Sequence, residues 1–146
     1  MPAVAQSAST LANPSTRPLT RPIVLVVEDD PTVRLLECGL LERAGYSVLQ
    51  ASNGELALTL AVDHQPDLIV LDVGLPSMSG LQVLDSLGAK AATSALPVLI
   101  VSSYAGLIAY DEHRARTAGS LTKPFSPSRF VALVGELTHA ESEGTD

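Results

Sequence analysis

The stretch Ile23–Val27 constrains the fold more than any other feature of this chain, because it is a continuous apolar run, mostly β-branched, with no polar position on either face. Such a run suits a strand buried on both sides, as in parallel sheets. Similar runs recur at Leu68–Leu71 and, after Pro97, at Val98–Val101. Ser47–Ala51 reads as a second strand between the first two runs, and Ser120–Thr122 as a short fifth strand near the end.

The intervening segments carry helical spacing. Asp30 is placed to cap a helix with Pro31 at its first position, and Val33, Leu36, Leu40, Leu41 and Ala44 then fall on one face before Gly45 ends it. Gly54–Val62 and Leu81–Ala89 read as further helices, with another expected within Ala105–Ala118. Ser126 and Pro127 start the last helix, whose apolar face is Phe130, Leu133, Val134 and Leu137. Strands and helices alternating at these lengths imply parallel strands joined by right-handed crossovers, hence an α/β doubly wound sheet. Its five-stranded version has order 2-1-3-4-5. Ligands of such sheets bind beyond the carboxyl ends of strands 1 and 3, where the order reverses.

A chain of 146 residues with 46% hydrophobic content has room for one packed domain. The expected folded unit is 22–140. Residues 1–21, rich in Ala, Ser, Thr and Pro, read as a disordered tail, and the small acidic end 141–146 as flexible. A net charge of −7 is the wrong sign for direct nucleic-acid binding. The lone Cys38 excludes an internal disulfide, and the start lacks a signal-peptide pattern. The longest apolar runs are far short of the ~20 residues of a bilayer span. These features together point to a cytoplasmic protein without a membrane segment.

Acids stand at both ends that flank the switch point. Glu28 and Asp29 leave the first strand and Asp72 leaves the third, so adjacent parallel strands bring three carboxylates together. Mutual repulsion would raise their pKa values, whereas a hard oxygen-seeking ion such as Mg²⁺ keeps them ionised. Ser102 ends strand 4 and Lys123 ends strand 5. A carboxylate nucleophile, a cation, a hydroxyl and an ammonium are the parts that stabilise a phosphoryl group in transfer. Asp30 is read as a helix cap rather than a ligand. Cys38 lies off the expected stripe of helix 1 and is given a plain packing or surface role. His64, His113 and His139 are scattered, so a phosphodonor histidine is expected from a partner.

The segments IVLVVEDDP, DLIVLDVGLPSMSGLQVL, LPVLIVSS and LTKPFSPSRF, in this order from Ile23 to Leu137, resemble the receiver domains of two-component response regulators. The resemblance implies a flavodoxin-like sheet with helices on both faces, and Asp72 as the phosphorylated aspartate. It also implies Asp29 as direct metal ligand, Glu28 as a ligand through water, the Gly74 carbonyl as a further ligand, and Mg²⁺ or Mn²⁺ as the ion. Ser102 would bind a phosphoryl oxygen, Lys123 would form the ion pair, and Lys123–Pro124 would be cis. Pro76 and Gly80 match the loop after the phosphorylated strand.

A histidine kinase or histidine phosphotransfer protein would supply the phosphate, so the protein would be an acceptor rather than an enzyme, with at most slow self-dephosphorylation. No effector domain follows Leu137, so output is expected through a downstream protein partner at the segment after strand 4. One departure bears on that output: Ser120 stands where the family usually carries Tyr or Phe. Two other readings are weighed. Glu28, Asp30 and Thr32 imitate the spacing of a haloacid-dehalogenase-like phosphatase, although the nucleophile position holds Glu. A pseudo-receiver scaffold that is never phosphorylated would be marked by loss of an acid or the lysine, and none is lost.

Overall fold

The computed structural model describes residues 21–72, 80–102 and 117–144. Five strands, β1 (Ile23–Val27), β2 (Ser47–Ala51), β3 (Leu68–Asp72), β4 (Val98–Ser102) and β5 (Gly119–Thr122), form one parallel sheet in the order 2-1-3-4-5. The described helices are α1 (Pro31–Arg43), α2 (Gly54–His64), α3 (Gly80–Ala89) and α4 (Pro127–Gly144). The fold is therefore the doubly wound one expected. The helix expected within Ala105–Ala118 lies almost wholly outside the described residues, and α4 runs on to Gly144, beyond the expected boundary at residue 140.

Strand alternation sorts the core into two layers. Val24, Val26, Leu68, Val70, Leu99 and Val101 point to the side covered by Cys38 and Leu41 of α1 and by Phe130, Leu133 and Val134 of α4. Leu25, Val27, Ile69, Leu71, Val98 and Ile100 point to the other side, under Ala57 and Ala61 of α2 and Val83, Leu84 and Leu87 of α3. Burying each large aliphatic side chain stabilises the fold by about 1.5–3 kcal/mol, and both layers share the central strands.

Caps stand where the sequence places them. The Asp30 carboxylate accepts from the Thr32 and Val33 amides at 2.9 and 3.4 Å, and Ser126 Oγ accepts from the Arg129 amide at 3.1 Å. Gly45 follows α1 at φ 102°, a left-handed conformation that glycine adopts without penalty.

Of the expected buried face of α1, Leu41 is buried and Leu40 packs against the core, but Leu36 and Ala44 do not belong to it. The helix's inward residues are Glu37, Cys38 and Leu41, whereas Leu36 is 49% and Leu35 64% exposed and Ala44 is exposed. Arg34 Nη1 donates to the Glu28 carbonyl at 2.8 Å, and position 34 shares its face of the helix with positions 37, 38 and 41. Apolar spacing does not mark Glu37 or Cys38, so it points to a different face of the helix. Cys38 is accordingly a core residue, not one off the stripe.

Candidate functional site

Glu28 and Asp29 follow β1 directly, and Asp72 ends β3, the strand hydrogen-bonded beside it. Glu28 continues the alternation of Val24 and Val26, and Asp72 that of Leu68 and Val70, so both belong to the layer beneath α1 and α4. Glu28 is 2% and Asp72 7% exposed, whereas Asp29 is exposed. One carboxylate oxygen from each of the three residues lies within 4.8 Å of the others.

Lys123 enters from the end of β5. Its amide donates to the Ser102 carbonyl at 2.8 Å, so the last residue of β4 and the lysine are backbone neighbours. Ser102 is buried, one residue beyond Val101, the register partner of Asp72. The Lys123–Pro124 peptide is cis. Phe125 stacks on Phe130 with ring centroids 5.1 Å apart, which ties this loop to the core face of α4. Lys123 Nζ reaches Glu28 Oε1 at 3.0 Å and Asp72 Oδ2 at 3.4 Å. Glu28, Asp29, Asp72, Ser102 and Lys123 thus converge at the carboxyl ends of the strands. Gly74 and Pro76 lie outside the described residues, and Gly80 is buried at the start of α3.

Burial dominates the electrostatics of the site. Burial pushes the Glu28 carboxyl from its ordinary 4.5 to about 7; the hydrogen bond and charge of Lys123 pull it down, and the charge of Asp72 pushes it up. Burial disfavours the Lys123 ammonium, but its hydrogen bond to Glu28 and the charges of Asp72 and Glu28 outweigh that and raise its pKa. Among the described residues the Lys123 ammonium pairs with Glu28 and Asp72, and the Asp29 carboxylate lies beside them. The donors are oxygens alone, two of them on buried acids, which is the chemistry of a hard divalent cation such as Mg²⁺ rather than of a thiolate- or imidazole-seeking metal.

Two participants were not legible as such in the sequence. Glu37, 1% exposed, lies in the layer under α1, and burial together with the charge of Glu28 pushes its carboxyl to about 8. Its Oε2 has no hydrogen-bond partner among the described residues. Arg34 touches the site's backbone through the Glu28 carbonyl and braces on Gln50 Oε1 at 3.2 Å. The available signal was spacing: both stand on the first turns of a helix that starts at the acidic strand end.

Comparison with known proteins settles the family. The family model described as response regulator receiver domain matches residues 24–135. The chain belongs to the response regulator receiver domains. Polar-differentiation response regulator DivK of Brucella anthropi is 37% identical over 114 residues, covering 76% of this chain and 91% of DivK. Transcriptional regulatory protein KdpE of Mycobacterium tuberculosis is 40% identical over 114 residues, covering 75% of this chain but 48% of KdpE. Among solved structures, chemotaxis response regulator CheY4 of Vibrio cholerae superposes with a TM-score of 0.75 at 28% identity, covering 81% of this receiver and 99% of that chain. A receiver is a phosphoacceptor of two-component signalling, and the phosphatase reading is not favoured: Asp30, which that reading needs for chemistry, caps α1. No described helix is long and apolar enough to cross a membrane.

Proposed function

We propose that Asp72 is the residue of this receiver that takes the phosphoryl group, delivered from a phosphohistidine of a histidine kinase or histidine phosphotransfer protein in the cytoplasm. The observation that carries the reading is the position of Lys123, bonded to both Glu28 and Asp72 at the strand ends. Glu28, Asp29 and Asp72, with the Gly74 carbonyl, hold a divalent cation, Mg²⁺ or Mn²⁺. When bound, that ion supplies charge neutralisation for the phosphoryl oxygens. The chain's own groups do the rest. An Asp72 carboxylate oxygen attacks phosphorus in line, the P–N bond breaks, and its electron pair returns to the donor imidazole. Lys123 shifts from its carboxylate partners toward the new phosphoryl charge, and the Ser102 hydroxyl donates to a phosphoryl oxygen.

The acids and the lysine assembled at the site argue against a scaffold that is never phosphorylated. Output runs through a downstream protein partner at the segment after β4. Ser120, an exposed residue on β5 aligned with Ile100, has no ring to swing there.

Incubation with a small-molecule phosphodonor and Mg²⁺, followed by intact mass, tests the assignment. One added phosphoryl group is expected on the wild-type chain and none on Asp72→Asn. Labelling of Asp72→Asn equal to wild type would overturn it, and turnover of a phosphate ester would revive the phosphatase reading.

A further inference from the structure

The peptide between Glu28 and Asp29 sits just beyond the sheet, and its two neighbouring backbone groups are held in different ways. The Glu28 amide makes a ladder bond to the Ala51 carbonyl at 3.0 Å. The Glu28 carbonyl instead accepts from Arg34 Nη1 at 2.8 Å, while Arg34 Nε donates to Gln50 Oε1 at 3.2 Å. A single planar guanidinium therefore ties the carbonyl before Asp29 to a side chain of the edge strand β2. The turn is closed further by Asp30, whose amide donates to Glu28 Oε2 at 3.3 Å and whose carbonyl accepts from the Arg34 amide at 2.9 Å.

We propose that Arg34, braced by Gln50, is a positioning residue that fixes the Glu28–Asp29 peptide so that both carboxylates meet Asp72 around the divalent cation. The inference rests on the cation reading given above. Rotation of that peptide would swing the Asp29 side chain, and Asp29 is exposed, so core packing does not hold it. The guanidinium suits the task because its donors form a rigid fork, so one group spans a carbonyl and an amide oxygen at a fixed angle. A lysine ammonium on its flexible stem lacks that geometry.

Charge and positioning make opposite demands. A nearby positive charge repels an incoming cation, so if Arg34 acted through charge alone its removal would tighten Mg²⁺ binding. If it positions the acids, removal loosens binding despite the lost repulsion. Outer-shell partners of metal ligands typically govern affinity by about 10–100-fold, and Arg34 acts through backbone, which places the expected loss near the lower end.

Isothermal titration of the full chain with MgCl₂ decides the matter, with circular dichroism establishing that each variant is folded at the titration temperature. Arg34→Met and Arg34→Lys are both expected to weaken Mg²⁺ binding by about tenfold, and Gln50→Leu to weaken it less but in the same direction. Arg43→Ala removes the same charge from an exposed position about 13 Å further along α1 and should leave affinity within a factor of about two. In phosphodonor assays the Arg34 variants should need more Mg²⁺ for half-maximal rate yet approach the wild-type rate at saturating Mg²⁺. Should Arg34→Met fail to fold, Arg34→Lys and Gln50→Leu carry the test. Unchanged or tighter binding in folded Arg34 variants, beside a wild-type chain that binds, would overturn the brace alone. A wild-type chain that takes up no Mg²⁺ would overturn the cation reading and the brace with it.

Discussion

The two faces of the sheet are built from the same strands and differ in what they carry. On the side of α2 and α3, Leu25, Val27, Ile69, Leu71, Val98 and Ile100 pack against aliphatic helix residues, and the buried Thr93 hydroxyl there donates to the Leu87 carbonyl at 2.7 Å. On the side of α1 and α4, Val24, Val26, Leu68 and Val70 lead into Glu28 and Asp72, with Glu37 buried among them. Alternation lets one set of residues act as ballast and the other deliver charge to the strand ends. The charged face costs stability that the apolar face supplies.

The largest effect is expected from the apolar side. Ile69→Ala or Leu71→Ala should destabilise by about 2–5 kcal/mol in denaturant unfolding, while the folded fraction still accepts a phosphoryl group. Loss of labelling without loss of stability would show that the two faces are not separable in this way.

On the charged side the sign should reverse. Glu37→Leu is expected to raise stability by about 1–3 kcal/mol, because it removes a buried carboxyl whose Oε2 lacks a partner. The pH dependence follows from the raised pKa. Glu37 is protonated in the folded state up to about 8 but ionises above 4.5 when unfolded, so the cost of keeping it neutral is absent below 4.5 and grows as pH rises toward 8. Wild-type stability should therefore fall over that window more steeply than that of Glu37→Gln. Parallel curves for the two proteins would place the Glu37 carboxyl in a better solvated setting.

The smallest effect tests the contact between Tyr46, which directly precedes β2, and α4. The Tyr46 hydroxyl meets Thr138 Oγ1 at 3.2 Å, and Tyr46→Phe should cost about 0.5–1.5 kcal/mol with no change in Mg²⁺ affinity. A change in affinity would mean that this contact communicates with the site.

That three strands are buried on both faces was legible because Ile23–Val27, Leu68–Leu71 and Val98–Val101 are apolar without alternation, while the order 2-1-3-4-5 followed from the five-stranded doubly wound architecture those strands imply. Glu28, Asp29, Asp72, Ser102 and Lys123 were legible for a related reason: each stands at a strand's carboxyl end, and topology alone brings those ends together. The rotation of α1 was not. Its inward face carries Glu37 and Cys38 beside Leu41, with Arg34 bonded to the Glu28 carbonyl, and a stripe so poor in aliphatic side chains leaves no apolar periodicity to read. Glu37 was hidden for the same reason, since a carboxyl on a helix is ordinarily solvated and hydrophobic spacing counts it as outward.

The central claim is that the charged face ends in a phosphoacceptor at Asp72. Borohydride reduction of the phosphorylated wild-type chain, followed by peptide mass mapping, tests it most directly, because an aspartyl phosphate is reduced to homoserine and marks its own position. The expected result is a single reduced residue at position 72. Reduction at Asp29 or Glu28 with position 72 intact would contradict the assignment.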